Sequence, residues 1–527
     1  MNKILVIKRD LFFQFLLIII VIALYSFSWH FEIHNDWDDA SIILKNQQDL
    51  TLSFSNICLW FQKAPLFVYG PLTMLSFMFD YNLWGLNSFG YHLQNIFWHI
   101  ITVIAIYKCF RLFNIRSWVV FFLCLIYAVH PQRVESVVWL AERKDVLCGA
   151  FYFASIYFYI KNFKKKFTIA AFFLFILALL SKPMAVSLPL ILILFEYYKQ
   201  RTFDVKYYLG KLWPYFVLCF IAIIIMLIPG GAGRVLKYNS LIVVIHNVYW
   251  YFQQTLFPIE LNPAYPLVRQ ASSAMGMVLF YLGVALLLIF ILIKKKSHFF
   301  INMMLIMFGY LASLLPVVGL IAVGNMEYYD RFSYIPSVFI WFGLGLILSK
   351  KLYPDDAYYS ALNEKRKKNI LLFRKIAVLI LIIYSFVLII INYNYQKIWE
   401  TPYSLFLYSA NCTPASELAV NKLADYELGR RNYKKVWEIS EKIDQKAGGK
   451  SVMGMYFRGS VKYHLDKKTA IPLLLAIKPY FKAYANDRYS EGRIRYIKIL
   501  EMLIDSYNSS GDQQEANKYI NERQGLP

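Results

Sequence analysis

The sequence predicts an all-α, polytopic membrane protein that ends in a separate α-helical repeat domain. Three observations predict it. The chain is 58% hydrophobic and 17% charged, with a mean hydropathy of +0.44, whereas a soluble domain is nearer half apolar and a quarter charged. The apolar residues come in blocks about as long as a bilayer crossing needs, roughly 20 residues. After about residue 393 the blocks stop, and apolar residues recur at helical spacing in a more polar tail.

Blocks fall near 11–29, 91–109, 117–130, 146–161, 167–181, 184–198, 212–229, 274–293, 299–318, 334–349 and 374–392, which makes eleven expected spans. The first follows MNKILVIKRD and is too long, with no small-residue cleavage site after it, for a signal peptide. It is expected to be an uncleaved span. With the N-terminus cytoplasmic, Lys and Arg in the inside segments outnumber those in the outside segments by more than two to one. That is the positive-inside bias. The net charge of +23 is therefore mostly topological. Its natural partner is anionic lipid and not nucleic acid. The six cysteines show no metal-ligand spacing and read as small buried hydrophobes.

Eleven crossings put the tail outside the cytoplasm. The expected domains are a transmembrane domain over 1–395, with a long first outer loop at 30–90, and a helical repeat domain over 396–527. The tail divides into three helical hairpins with turns at Gly429–Asn432, Leu465–Asp466 and Ser509–Asp512, of roughly TPR-like period. The aromatic stretch of the first outer loop, with Trp60 and Trp84, suits helices lying in the headgroup zone. The 240–257 stretch reads as another interfacial helix. Were it a twelfth span, the repeat domain would move to the cytoplasm.

The outer segments carry the candidate chemistry. The stretch HNDWDDASII, directly after the first span, holds Asp36, Asp38 and Asp39 around Trp37. Four more outer stretches place ionisable residues at span ends: HPQRVESVVWLAERKDVL, SKPMAVSLP, NPAYPLVRQ and GNMEYYDRFSYIP. Charges at such depth need partners, water or a ligand.

In chain order, WDD, PLTMLSFMFDYNLWGLNSFGYHLQNIFWHI, HPQRVESVVWLAERKDVL, LLSKPMAVSLPLILILFEYY and LPVVGLIAVGNMEYYDRFSYIP resemble the transmembrane-and-TPR (TMTC) O-mannosyltransferases and their bacterial relatives, within the GT-C class of membrane glycosyltransferases. The resemblance runs over nearly the whole chain. It implies a GT-C-like membrane domain that transfers a sugar, mannose among the candidates, from a polyprenyl-phosphate carrier to a hydroxyl acceptor. The acceptor would be Ser or Thr of a protein, reached on the non-cytoplasmic face, and the helical repeats would recognise that protein.

A glycosyl phosphate already has a good leaving group, so the poor hydroxyl nucleophile is what needs help, from a base. The family motif falls on Asp38 and Asp39, and the base is placed there with Asp38 ahead. In an extended loop the two point to opposite sides. A divalent cation held by this pair is left open, and Asp36 reads as a solvated loop residue. Arg143 and Lys144 are the expected clamp on the carrier phosphate, against a plain reading as a salt-bridge cluster. Glu135, which would share a helix face with Glu142, orients the sugar or steadies the clamp. Arg331 is either a second phosphate ligand or the partner of Asp330 at a helix start. Lys182 is either a ligand or a snorkelling lysine. His92, His99 and His130 read as structural.

Three other readings compete: a transferase acting on a glycan or lipid, a flippase or transporter for a lipid-linked precursor, and a non-catalytic repeat scaffold. Ionisable residues gather at the outer ends of spans and not at mid-membrane, which disfavours the transporter. Short loops and abundant Lys, Ile, Asn, Tyr and Phe suggest a bacterial inner membrane.

Overall fold

The computed structural model describes residues 3–35, 37–63, 69–165, 167–200, 204–227, 241–265, 277–284, 298–319, 328–352, 362–412, 416–486 and 491–526. Among them there is helix and no strand. Chain packing divides the protein into two compact units, Met1–Leu405 and Phe406–Pro527.

In the first unit, α1 (Lys3–Tyr25) runs into a 3-10 turn at Ser26–His30. The first outer segment then forms α2 (Phe54–Gln62) and α3 (Pro71–Trp84). Ser53 caps α2 by accepting from the Asn56 N–H at 3.2 Å. Gly85, at φ 58°, ends α3 in a conformation that favours glycine. Then come α4 (Ser88–Arg111), α5 (Ser117–Val129), α6 (Arg133–Val138), α7 (Arg143–Lys161), α8 (Ile169–Ser181), α9 (Leu188–Gln200), α10 (Val205–Leu227) and α11 (Leu241–Leu256). Helices at His298–Leu314, Pro336–Leu352 and Glu364–Lys397 follow.

Among the described residues four helices are long and apolar enough to cross a membrane: Ile4–His30, Ser88–Arg111, Val205–Ile225 and Glu364–Lys397. Shorter apolar helices lie at Ser117–Val129, Ile169–Ser181, Ile306–Val317 and Pro336–Lys350. The expected spans near 146–161 and 184–198 fall on α7 and α9. The block near 274–293 lies largely outside the described residues. This is an all-α membrane protein. α11 has 16 residues, about 24 Å of helix. It buries His246, Asn247, Gln254 and Thr255 along one side while exposing Leu241, Ile242 and Ile245.

α5 is buried nearly all round, as a helix at the centre of a bundle must be. α1, α4 and the helices Pro336–Leu352 and Glu364–Lys397 surround it, and α7 packs between α4 and α8. His99 on α4 binds the Tyr334 hydroxyl at 2.7 Å and the Ala128 carbonyl at 3.1 Å. His130 binds the Thr255 carbonyl at 3.1 Å. Both act as satisfied core groups. All six cysteines are free, and four are buried.

Among the described residues the second unit holds three helical hairpins: Glu417–Gly429 with Tyr433–Lys446, Val452–Leu465 with Lys467–Lys482, and Glu491–Ser510 with Gln513–Gln524. Asn432, Asp466 and Asp512 cap the second helices through their side chains, which explains why the chain turns there. Leu423, Val436, Phe457, Leu474, Ile499 and Ala516 are buried in the stack.

Gly70 ties α3 to the end of α8. A Cβ there would stand 2.8 Å from the Ser181 carbonyl oxygen, and Thr73 donates to the same oxygen at 3.1 Å. Backbone cannot swing aside as a side chain can. Gly70→Ala is expected to cost about 1–3 kcal/mol, read as a lower melting temperature of the purified protein; an unchanged melt would show that the two helices are not held together here.

Candidate functional site

The stretch from His130 to Asp145 builds the site because it is helical on both sides of a break. α6 ends at Val138, and Trp139 is extended, at φ −74° and ψ 120°. A 3-10 turn at Leu140–Glu142 leads into α7. Glu135 and Glu142 therefore do not share one helix face, as a continuous helix would have it. They meet instead on a third residue, Arg331.

Glu142 is fully buried and faces three cations. Lys144 Nζ lies at 2.9 Å, Arg331 Nε at 3.1 Å and Lys182 Nζ at 3.5 Å. Neither carboxylate oxygen is met by a well-aligned donor, so charge more than hydrogen bonding holds it. Glu135 accepts from the Arg331 backbone N–H at 2.8 Å and pairs with the Arg331 guanidinium. Lys182 also pairs with Asp145, which accepts from the Ser136 hydroxyl at 3.2 Å. Local sequence aims each cation. Pro183 forces the residue before it out of the helix, so Lys182 is extended, at φ −154° and ψ 135°. Arg331 lies in a 3-10 turn, Asp330–Ser333, with its guanidinium 3.6 Å from the centre of the Tyr329 ring.

Asp39 joins from the first outer segment. Its carboxylate accepts from the Ala141 N–H at 2.8 Å and the His34 N–H at 3.2 Å, which pins the loop to the turn that carries Glu142. The pair is not extended: Asp39 is helical, at φ −57° and ψ −39°, before a π-type turn at Ala40–Leu44. Asp39 is buried and Asp38 half-buried. Asp36 lies outside the described residues. Trp37 packs on Trp139 at 4.8 Å, and Trp139 on Trp399 at 5.8 Å, beside this junction.

Arg143 departs from the expected clamp. Its guanidinium is fully buried in another network. It pairs with Asp80 of α3 at 2.7 Å and donates to the Tyr91 carbonyl, Asn95, Gln94 and Ser76. A guanidinium has five N–H donors, and five protein acceptors take them up. That leaves nothing to offer a phosphate, so Arg143 is structural. Asp330 departs as well. Its carboxylate accepts from Tyr265 at 3.0 Å and from Gln132 at 3.4 Å, and does not pair with Arg331. The structure thus brings together Asp39, Glu135, Lys144, Lys182 and Arg331, adds Glu142 and Asp145, and removes Arg143. The two added acids lie inside a stretch that was singled out, but only the fold decides which charges meet.

Burial pushes Glu135 and Asp145 towards their neutral forms. Burial acts on Glu142 too, but Lys144, Arg331 and Lys182 overcome it and hold Glu142 ionised. Three cations and three carboxylates thus share the cluster, and Glu142 is the acid held firmly ionised. The exposure that the cluster keeps is on its cations: 13% for the Lys144 side chain, 11% for Arg331 and 8% for Lys182, against 0% for Glu142. Burial pushes Asp39 up to about 7, against the pull of its two backbone donors. Among the described residues no group of three or more His, Cys, Asp or Glu side chains converges as a metal site would require.

Comparison with known proteins gives one consistent answer. The chain is similar to protein O-mannosyl-transferases over part of its length. It is 28% identical to a Caenorhabditis elegans protein O-mannosyl-transferase over 141 residues, 25% of this chain and 20% of that protein. It is 35% identical to protein O-mannosyl-transferase TMTC3 of Mus musculus over 95 residues, 18% of this chain and 10% of that one. With protein O-mannosyl-transferase TMTC1 of Homo sapiens it shares 35% over 80 residues, 15% and 9% of the two chains. The chain thus covers only a fifth or less of the length of these relatives. No family model and no solved structure matches. The O-mannosyl-transferase likeness is distant and partial.

Two expectations follow from the geometry. Arg143→Met leaves the buried Asp80 charge unpaired and should cost about 3–5 kcal/mol, seen as early thermal unfolding. Adding Asp80→Leu should recover much of the loss, because removing both charges is far cheaper than stranding one. Asp39 binds its proton more tightly folded than unfolded, so its contribution to stability is full below its ordinary value near 4 and is lost as pH rises through about 7. The melting temperature of the native protein should therefore fall relative to Asp39→Asn across that window; a constant gap would show that burial does not shift this group.

Proposed function

We propose that this protein is a membrane glycosyltransferase that moves a sugar from a polyprenyl-phosphate carrier to a hydroxyl acceptor, Ser or Thr of a protein, on the non-cytoplasmic face. The observation that carries the reading is the one-sided cluster. Buried carboxylates stand behind Lys144, Lys182 and Arg331, and the cations keep what surface remains. That arrangement suits a phosphate, which takes up charge as it leaves. The partial likeness to protein O-mannosyl-transferases supports the same reaction class.

Asp38 is the proposed base, since it is half-buried beside the cluster while Asp39 is committed to backbone donors. Asp38 takes the hydroxyl proton as the acceptor oxygen bonds to the anomeric carbon. The bond from that carbon to the carrier phosphate breaks, and the phosphate leaves with its electron pair against the three cations. Glu135 and Glu142 hold Arg331 and Lys144 in place for it. Asp39 braces the loop. The reading keeps eleven crossings, with this site on the non-cytoplasmic face.

Reconstituted protein, a radiolabelled polyprenyl-phosphate sugar and a Ser/Thr-rich peptide test the reading directly. Label should pass to the peptide. Asp38→Asn should slow turnover by about 10²–10⁴ with little change in melting temperature. Full transfer by that variant would remove Asp38 from the chemistry, and absence of transfer from any lipid-phosphate sugar would end the proposal.

A further inference from the structure

The proposed reaction uses both acids of the WDD stretch and gives its tryptophan no task. In the structure Trp37 belongs to a cluster of three indoles. Its ring centre lies 4.8 Å from that of Trp139 and 6.4 Å from that of Trp399, within 15° of parallel to the latter. Trp139 and Trp399 stand 5.8 Å apart. Both are buried, while Trp37 is only half-buried. His34 backs Trp399 with 7° between the ring planes and donates to its carbonyl at 3.0 Å. Trp37 is therefore supported from beneath by packed rings, and it is the member of the cluster that keeps surface to offer.

The cluster also joins the two ends of the proposed chemistry. Trp37 directly precedes Asp38, the proposed base. It touches Trp139, whose ring lies 5.3 Å from the Arg331 guanidinium. In the donor the anomeric carbon is bonded to the phosphate that the cations hold, and it receives the oxygen that the base deprotonates. The sugar ring therefore lies between Asp38 and Arg331. The protein contacts that lead from one to the other run over Trp37 and Trp139. A pyranose carries hydroxyls around its edge and C–H groups on its faces. A flat, apolar and supported ring suits such a face, because stacking removes C–H surface from water.

We propose that Trp37, backed by Trp139 and Trp399, stacks against a C–H face of the pyranose that the polyprenyl-phosphate carrier brings, which rests on the transferase reading and adds a sugar-binding residue to it. Trp37 makes no bond that changes in the reaction. It fixes the plane of the sugar, so that the anomeric carbon meets the acceptor on one side and the departing phosphate on the other.

The test measures binding and not turnover, by titration calorimetry of the full chain in detergent micelles. The probes are the mannosyl, glucosyl and N-acetylglucosaminyl esters of geranyl phosphate, and methyl geranyl phosphate, which keeps the single charge of the diester and lacks the sugar. At least one glycosyl ester should bind about tenfold tighter than the methyl ester. Trp37→Leu fills the space on Trp139 and Trp399 but offers no flat ring. It should abolish that preference while leaving the affinity for the methyl ester unchanged, and Trp37→Phe should retain most of it. Lys144→Gln should weaken all the diesters alike and keep the preference. Each preference is a ratio read on one sample, so an unfolded fraction lowers the capacity for both ligands and leaves the ratio intact. Native protein that binds every glycosyl ester no better than the methyl ester overturns the stacking role and leaves the phosphate clamp standing. A preference that survives Trp37→Leu overturns it too. Failure of all the diesters to bind would instead end the transferase reading, and the stacking role with it.

Discussion

The charged cluster of the membrane unit depends on keeping one carboxylate, Glu142, ionised where it is fully buried. Three cations from three separate parts of the chain achieve this: Lys144 at the start of α7, Lys182 after α8, and Arg331 before the Pro336–Leu352 helix. Removing an isolated charge from water costs several kcal/mol even after relaxation. The cluster exists only because the surrounding helices bring the opposite charges within reach. The acid in turn gathers the cations, which would otherwise repel one another.

Much of this was legible in the residues. The all-α class follows from block lengths and hydropathy, and the hairpin turns from Asn432, Asp466 and Gly511–Asp512, whose chemistry caps and reverses helices. The stretches that hold the cluster stood out because charged side chains beside apolar blocks demand an explanation. What the sequence could not supply is pairing. Arg143 and Lys144 are neighbours, yet one helical step of about 100° sends the first into α3 and α4 and the second towards Glu142. Asp330 and Arg331 part in the same way. The break at Trp139 was equally hidden, since no proline or glycine marks it. It is imposed by contacts from elsewhere: Asn95 donates to the Val137 and Trp139 carbonyls, and Asp39 takes the Ala141 N–H.

The two aspartates of the first outer segment show how adjacent identical residues acquire different work. Helical backbone at Asp39 turns its carboxylate inward onto two N–H groups, and Asp38 keeps some access to solvent. One dipeptide thus meets two surroundings, a buried one at Asp39 and a partly open one at Asp38.

Asn95 has a consequence for how variants of this protein will behave. Its amide nitrogen holds the break at Trp139 open while its oxygen accepts from Arg143. The Arg143 network and the turn that carries Glu142 therefore share a single side chain, and a lesion on α3 has a short physical route to the charged cluster. Residues that never approach a substrate would then present as kinetic defects, and a map of essential positions drawn from turnover alone would stretch well beyond the groups that touch the reacting molecules.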